Sequence, residues 1–267
     1  MTTHQAAVAE RFNTVAAGHE HPALAHFGLA ARRLVRLLQL QPGQRVLDAG
    51  CGTGLVAIEA ARGVGLSGQV VGVDIAAAML DQAQRNTAAA GLANVSFREM
   101  DVERLDFADG SFDAVAGGFA IFFLPDMVAA VREWGRVTRA GGMVAFSVFG
   151  RTAFEPMISL YRARLGIDLD WHRTAEPEIC RDLLRQAGFD RIQVTAEQLG
   201  RPLGSPEEWW DVVSNLGTGA ALASLSLAGL KRFKRRHLAE VDHPSWLDIP
   251  VIFALAQKPA PAKDDRR

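Results

Sequence analysis

The sequence predicts an α/β domain built on a parallel sheet, and three observations carry that expectation. From residue 45 to 150, apolar runs of strand length alternate with helical patterns across short connections. That rhythm demands parallel strands joined by right-handed crossovers. One strand, at Val46-Leu47, runs straight into a loop with glycine at 50, 52 and 54, and an apolar helical pattern resumes at Leu55. Strand, glycine loop and helix start bring a ligand against bare backbone at a helix N-terminus. Two further strands each end in an acid, Asp74 and Asp101.

The chain has 267 residues, enough for one large α/β domain or for a domain with a substantial insertion. Apolar residues make up 49% and charged residues 22%, as in a soluble globular protein. A formal net charge of −1 provides no field to draw in a polyanion, so nucleic acid is not expected as a substrate. Of the two cysteines, Cys51 lies inside the glycine loop and Cys180 far from it. A structural disulfide is therefore not expected, and a reducing cytoplasm fits. Residues 1–5 lack the basic and apolar regions of a signal peptide. No apolar run reaches the ~18 residues that a membrane helix needs. Metal-ligand spacings, a G-x-S-x-G elbow and internal repeats are all missing.

In chain order, residues 5–20 and Pro22 to Leu40 read as helices, with Arg32, Arg33 and Arg36 as a solvated face. Pro42-Gly43 stops the second before the glycine strand. Gln69 to Ile75 is a near-continuous apolar run, as for a strand buried on both faces. Asp74 ends it at about the 20-residue spacing from the glycines expected of an acid that hydrogen-bonds a ribose. A carboxylate can accept from both ribose hydroxyls; the alternative is a cap on the next helix, Ala76 to Ala90. Val95 to Asp101 alternates apolar and polar, and Asp101 reads either as a ligand acceptor or as a surface aspartate. Ser111 to Phe119 is a fourth strand, Asp126 to Arg139 a helix, and Met143 to Phe149 a fifth strand. Phe154 to Leu165 reads as a helix, Trp171-His172-Arg173 as a polar loop, and Pro177 opens a helix closed by Gly188. Phe189 to Thr195 and Ile249 to Gln257 are the last strands.

Residues 200–248 form an insertion too long for a turn. Ser205-Pro206-Glu207-Glu208 is a capping box opening a helix with Trp209, Trp210 and Val213, and Gly217-Thr218-Gly219 breaks it. A small-residue apolar run from Ala220 to Leu230 and a basic run, Lys231 to Arg236, follow. Trp209, Trp210, Leu222, Leu225, Leu227 and Leu230 point to a helical cap over something apolar, with the basic run as its solvent face. The organisation expected is thus N-terminal helices over the site (1–40), a core (41–199 and 249–258), a helical cap (200–248) and a disordered, proline-broken tail (259–267).

The stretch Asp48-Ala49-Gly50-Cys51-Gly52-Thr53-Gly54 departs from the dinucleotide pattern G-x-G-x-x-G, which would place glycine at 55, where the chain has Leu55. It resembles motif I of the class I S-adenosylmethionine-dependent methyltransferases. Phe112-Asp113-Ala114-Val115, the turn at Leu124-Pro125-Asp126 and the Arg139-Ala140-Gly141-Gly142 turn resemble later motifs of that family. Phe12 to His19 resembles the N-terminal pattern of its ubiquinone/menaquinone-biosynthesis-type (type 11) group, with His19 in place of a tyrosine. The resemblance implies a Rossmann-like seven-stranded, mostly parallel sheet with helices on both faces, and a last strand antiparallel between the fifth and sixth. It implies S-adenosyl-L-methionine as cofactor, bound by Asp48, Gly50, Cys51, Gly52, Gly54, Asp74, Ile75, Met79, Asp101, Val102, Gly117, Gly118 and Phe119. Asp101 would accept from the adenine amino group. Phe119 would stand beside the transferable methyl, where an aromatic face attracts a sulfonium; the alternative is that it fills the core. Asp113 reads as structural.

Methyl transfer to a small-molecule acceptor is the activity implied, at O, N or C. Alignment of the reactants supplies most of the rate. An acceptor that must lose a proton needs a base, and His19, His172 and His243 are the candidates. A non-methylating enzyme with the same cofactor site, or a non-catalytic partner subunit of the fold, remain as rival readings. Assembly as a homodimer stays open, and no metal is expected.

Overall fold

A computed structural model describes residues 2–166, 170–216, 219, 222, 225–241 and 245–260. Gly217, Thr218, Ala220, the candidate base His243 and residues 261–267 of the tail lie outside the described residues. The strands in chain order are β1 (Arg45–Ala49), β2 (Gln69–Asp74), β3 (Val95–Glu99), β4 (Phe112–Gly118), β5 (Thr138–Phe149), β6 (Asp190–Gln198), β7 (Arg201–Pro202), β8 (Trp246–Leu247) and β9 (Pro250–Gln257). Seven of them form one sheet in the order β3-β2-β1-β4-β5-β9-β6. The first five are mutually parallel. β9 runs antiparallel between β5 and β6, as the resemblance implied. β7 and β8 pair separately at the base of the insertion.

β1 sits where the strand order reverses, between β2 and β4. In such sheets the ligand crevice opens there, beyond the carboxyl ends of the strands. β1 and β2 are nearly all buried because helices cover both faces. α2 (Ala25–Leu38) buries a stripe of Ala30, Ala31, Leu34, Val35 and Leu38 at helical spacing and packs on α3 (Leu55–Val64). α5 (Met127–Val137) seats Trp134 completely, and the indole N–H donates to the Val102 carbonyl at 3.1 Å. α4 (Ala77–Ala89) and α7 (Pro177–Gln186) complete the layers.

The structure corrects several boundaries. The N-terminal helix α1 is Thr3–Val15, and short 3₁₀ turns at Ala16–Glu20 and Pro22–Leu24 precede α2. α5 ends at Val137 rather than Arg139, because Thr138 already pairs with Phe112 in the sheet and the next pairing is Met143 with Ala114. The residues between bulge outward, and Asp113 holds them by accepting from Arg139 Nε and from the Arg45 N–H, both at 2.7 Å. Arg33 is not simply solvated: its guanidinium makes a bidentate pair with Glu197 on β6, at 2.6–2.9 Å. Trp171 lies in a 3₁₀ turn, Asp170–Thr174, and is buried against Phe149 and Phe154 instead of standing in a polar loop.

The insertion carries α8 (Pro206–Asn215) and α9 (Leu227–Glu240). Ser205 caps α8, accepting the Glu208 N–H, but the expected capping box is only half made, because the Glu208 carboxylate accepts from the Gly204 N–H and Arg201 instead of the Ser205 N–H. α8 packs on the Pro22–Leu24 turn, and α9 packs on α6 (Met157–Leu165) through Phe233 and Tyr161. Trp209, Trp210 and Leu222 are buried, but Leu227 is 81% exposed and covers nothing. Lys231, Arg232, Arg235 and Arg236 face solvent, whereas Phe233 turns inward.

The seat of Trp134 generates a test. A Cβ on Gly117 would meet the Trp134 ring at 2.5 Å. Gly117→Ala is expected to destabilise the fold by about 1–3 kcal/mol in chemical denaturation. A variant as stable as the wild type would show that the tryptophan can move aside.

Candidate functional site

The first turn of a helix leaves N–H groups without partners in the helix. Here one carboxylate, Asp48, takes one of them, and its neighbour on the adjacent strand, Asp74, takes N–H groups of the loops that lead into the helices. Asp48 is fully buried, and its Oδ2 accepts the N–H of Ala57, the third residue of α3, at 2.8 Å. Asp74 accepts the Gly52 N–H on Oδ2 and the Ala76 N–H on Oδ1, both at 2.9 Å. It therefore ties the residue before α4 to the glycine loop, without capping the first turn of α4.

The three glycines of that loop answer different demands. A Cβ at Gly50 would strike Ala120, in the turn after β4, at 2.6 Å. A Cβ at Gly54 would press on Ala83 and Phe97 at 3.2–3.3 Å. Gly52, at φ +51°, has nothing within 4 Å of that position. The first two let pieces of protein approach each other; the third leaves room that no protein atom uses.

That room belongs to a cavity of about 190 Å³ over the carboxyl ends of β1, β2, β4 and β5. One end is acidic, with Asp48, Asp74, Asp101 and Glu103 in its wall; Arg11 is the one arginine among the described lining residues. Desolvation pushes the Asp48 carboxyl up to about 8, with the Asp74 charge adding to it, and the second Asp48 oxygen has no hydrogen-bond partner. Desolvation also raises Asp74, against the N–H groups of Ala76 and Gly52 that stabilise its charge. Burial raises the Cys51 thiol well above its ordinary range. Under-compensated carboxylate facing a cavity suits a ligand that brings positive charge.

The other end is aromatic: Phe12, Phe27, Phe119, Phe122, Phe149 and Trp171 line it. Phe119 adopts φ +54°, a left-handed conformation that strains a non-glycine residue by ~1–3 kcal/mol. Its ring stacks on Phe149 at 4.2 Å with Phe27 edge-on at 5.2 Å, and its N–H donates to the Ser147 carbonyl at 3.0 Å. The strained turn thus sets the ring among Phe27 and Phe149, while the next residue, Ala120, abuts Gly50 of the glycine loop. His19 lies in the roof, stacked over Phe27 with Phe12 at its edge. Its Nδ1 lies 3.4 Å from the Val15 carbonyl. A proton on Nδ1 donates there and leaves the Nε2 lone pair free. Burial lowers its pKa.

The cavity gathers Asp48, Gly50, Cys51, Gly52, Asp74, Ile75, Met79, Asp101, Val102, Gly118, Phe119 and His19. Three expected residues are not among its lining. Gly54 and Gly117 are glycines for packing, against Ala83 and under Trp134. His172 stacks on Trp171 at 6.3 Å, and only the tryptophan reaches the wall. The sequence reading passed over Gln5, Phe27, Phe149, Trp171 and Leu216, which also line it. Phe149, at the carboxyl end of β5, could have been found from that position alone. Most of the roof is α1 and the turns after it; from the insertion, Leu216 alone among the described residues reaches the cavity. Among the described residues no three or more His, Cys, Asp or Glu could hold a metal ion, and no helix is long and apolar enough to cross a membrane.

Residues 46–142 match the family model described as "Methyltransferase domain". The chain is 39% identical over 186 residues to a demethylmenaquinone methyltransferase of Geobacillus kaustophilus, covering 62% of this chain and 80% of that one. It is 36% identical over 140 residues to aklanonic acid methyltransferase of a Streptomyces species, covering 52% of this chain and 64% of that one. Among solved structures, the Bacillus YcgJ protein superposes with a TM-score of 0.62 at 20% identity, over 86% of this chain and 98% of that one. The acid–glycine loop, the antiparallel last strand and these similarities together make the chain a member of the class I S-adenosylmethionine-dependent methyltransferases, in the group of the ubiquinone- and menaquinone-biosynthesis enzymes.

Proposed function

We propose that the protein methylates a small, largely apolar acceptor, with S-adenosylmethionine at the acidic end of the cavity and the acceptor at the aromatic end. The observation that carries this reading is that one cavity is lined by both the carboxylates at the glycine loop and an aromatic cluster, with Phe119 in the cluster and its neighbour Ala120 against Gly50 of the loop. The residues fit the cofactor. Gly52 leaves space where a side chain would intrude, and Asp48 keeps an unpartnered oxygen suited to a cationic amino group. Asp74 and Asp101 supply acceptors for ribose and adenine, and Ile75, Met79 and Val102 supply apolar wall. When bound, S-adenosylmethionine would supply a methyl on a sulfonium, whose neutral thioether is a good leaving group.

The chain's own residues then do three things. The aromatic faces at Phe119 and Phe149 favour positive charge near them, by ~0.5–2 kcal/mol. The phenylalanines and Trp171 hold a flat acceptor and exclude water, and alignment of this kind is worth ~7–11 kcal/mol. His19, neutral and with Nε2 free, removes a proton from a hydroxyl or an acidic carbon. The relatives are named for aklanonic acid and demethylmenaquinone, both small molecules, which supports an acceptor of that kind. We further propose that α1, with the insertion 200–248 behind it through Leu216, is the cap that selects the acceptor.

Two experiments test this. Gly52→Val puts a β-branched residue at φ +51° and is expected to cost ~1–3 kcal/mol of stability, checked by thermal melting, although its Cβ meets no protein atom; the folded variant is expected to lose S-adenosylhomocysteine binding in calorimetry. Retained binding would place the ligand elsewhere. His19→Gln should keep that binding and lose turnover by on the order of 10²–10⁴-fold, assayed as S-adenosylhomocysteine formed with a panel of phenols and acidic-carbon acceptors. Because burial lowers the His19 pKa, the neutral base persists below pH ~6.5. The acid limb of the wild-type rate should lie below that value, and the variant should lack it. A variant with wild-type rate would remove His19 from the chemistry.

A further inference from the structure

We infer that Gln5 is a positioning residue of the cofactor site, holding the Asp101 carboxylate so that closure of α1 and capture of an adenine-type amino group become one event. This rests on the reading of Asp101 as the acceptor for that amino group. The Gln5 Nε2 donates to Asp101 Oδ2 at 2.7 Å. The orientation of the amide is fixed from behind, because its carbonyl oxygen accepts the Thr2 N–H at 2.7 Å in the capping box that opens α1. The other Asp101 oxygen accepts the Glu103 N–H at 2.9 Å. Each oxygen thus spends one lone pair on protein and keeps one. Their remaining directions are set by the two donors, and both Gln5 and Asp101 line the cavity.

α1 is held lightly. It buries only Ala9 and Val15, and Val15 joins a small apolar cluster with Ala16, Ala76 and Met79 that is separate from the main core. Its other ties to the rim include His4 Nε2 with the Phe123 carbonyl at 2.8 Å, the Asn13 carbonyl oxygen with the Ala78 N–H at 3.0 Å, a long contact of Gln5 Nε2 with Glu103 Oε2 at 3.5 Å, and Phe12 and Arg11 against the Phe123 ring. With so little apolar burial beneath the helix, a hydrogen bond to a carboxylate is a substantial share of what keeps it down. An amino group that engages Asp101 beneath the helix adds to a carboxylate that Gln5 already orients. α1 also carries Phe12 into the aromatic end, so occupancy at the adenine end is felt where the acceptor sits.

The test is calorimetry with S-adenosylhomocysteine on the full chain and on Gln5→Ala, Asp101→Ala and the double variant, with deuterium exchange of residues 3–15 read alongside. Both side chains are half-buried at the rim, and thermal melting checks that the variants fold. Asp101→Ala should weaken binding on the order of tenfold. Gln5→Ala should weaken it by about threefold to tenfold, and the double variant should bind no more weakly than Asp101→Ala. Ligand should slow exchange in α1 of the wild type and not of Gln5→Ala. Gln5→Glu, which sets a carboxylate against a carboxylate in the same shape, should bind more weakly than Gln5→Ala. If Asp101→Ala binds like the wild type, the adenine reading itself falls. If Asp101→Ala weakens binding but Gln5→Ala does not, if the two losses add, or if ligand protects α1 equally without Gln5, the inference about Gln5 is overturned.

Discussion

Asp74 joins two turns that belong to different strands: one oxygen takes the Gly52 N–H of the loop after β1, the other the Ala76 N–H just before α4. An unmade bond to a buried N–H costs about 1–3 kcal/mol, so this carboxylate fixes the height of the glycine loop above the sheet. Asp48 does the same for the start of α3. Holding both loops requires two carboxylates close together in a poorly solvated place, and desolvation is what raises the pKa of each. The same arrangement that braces the backbone therefore leaves a cavity short of positive charge. A cationic ligand relieves that shortage, which ties the stability of the loop to the chemistry of the site.

The aromatic end is built on a second constraint. β4 ends at Gly118, and Phe119 turns into a left-handed conformation that is tolerated because its N–H bonds to Ser147 and its ring stacks on Phe149. Strain of this kind persists only where the surroundings hold it. Here it holds the ring in the cavity wall against Phe149 and Phe27. Arg173 supports the same region from outside, donating to the carbonyls of Phe122, Leu124 and Pro125. The floor of the site thus comes from strand ends and their turns, while the roof comes from α1, a helix that buries only Ala9 and Val15.

Much of this was legible in the chain because the signals are local. Acid, glycine loop and helix lie within about ten residues, and Asp74 stands at a fixed spacing from them. Asp113 read as structural and is, bridging Arg45 and Arg139. What was not legible depends on partners far away in sequence. Gln5 meets Asp101 across 96 positions, and Arg33 meets Glu197 across 164. Trp171 sits among polar neighbours, so nothing beside it announces a buried ring. α5 ends early because β4, not the helix itself, claims Thr138. Gly54 and Gly117 look like their neighbours in sequence, and only the positions of Ala83 and Trp134 separate a glycine needed for packing from one that leaves a cavity open.

The measurement that bears most directly on the account is a crystal structure of the protein with S-adenosylhomocysteine. The account predicts ligand against Gly52, with Asp74 and Asp101 both in hydrogen-bond contact with it and the thioether sulfur on the side of Phe119. Ligand outside the cavity, or ligand inside it with Asp74 and Asp101 bonded to protein alone, would contradict the account.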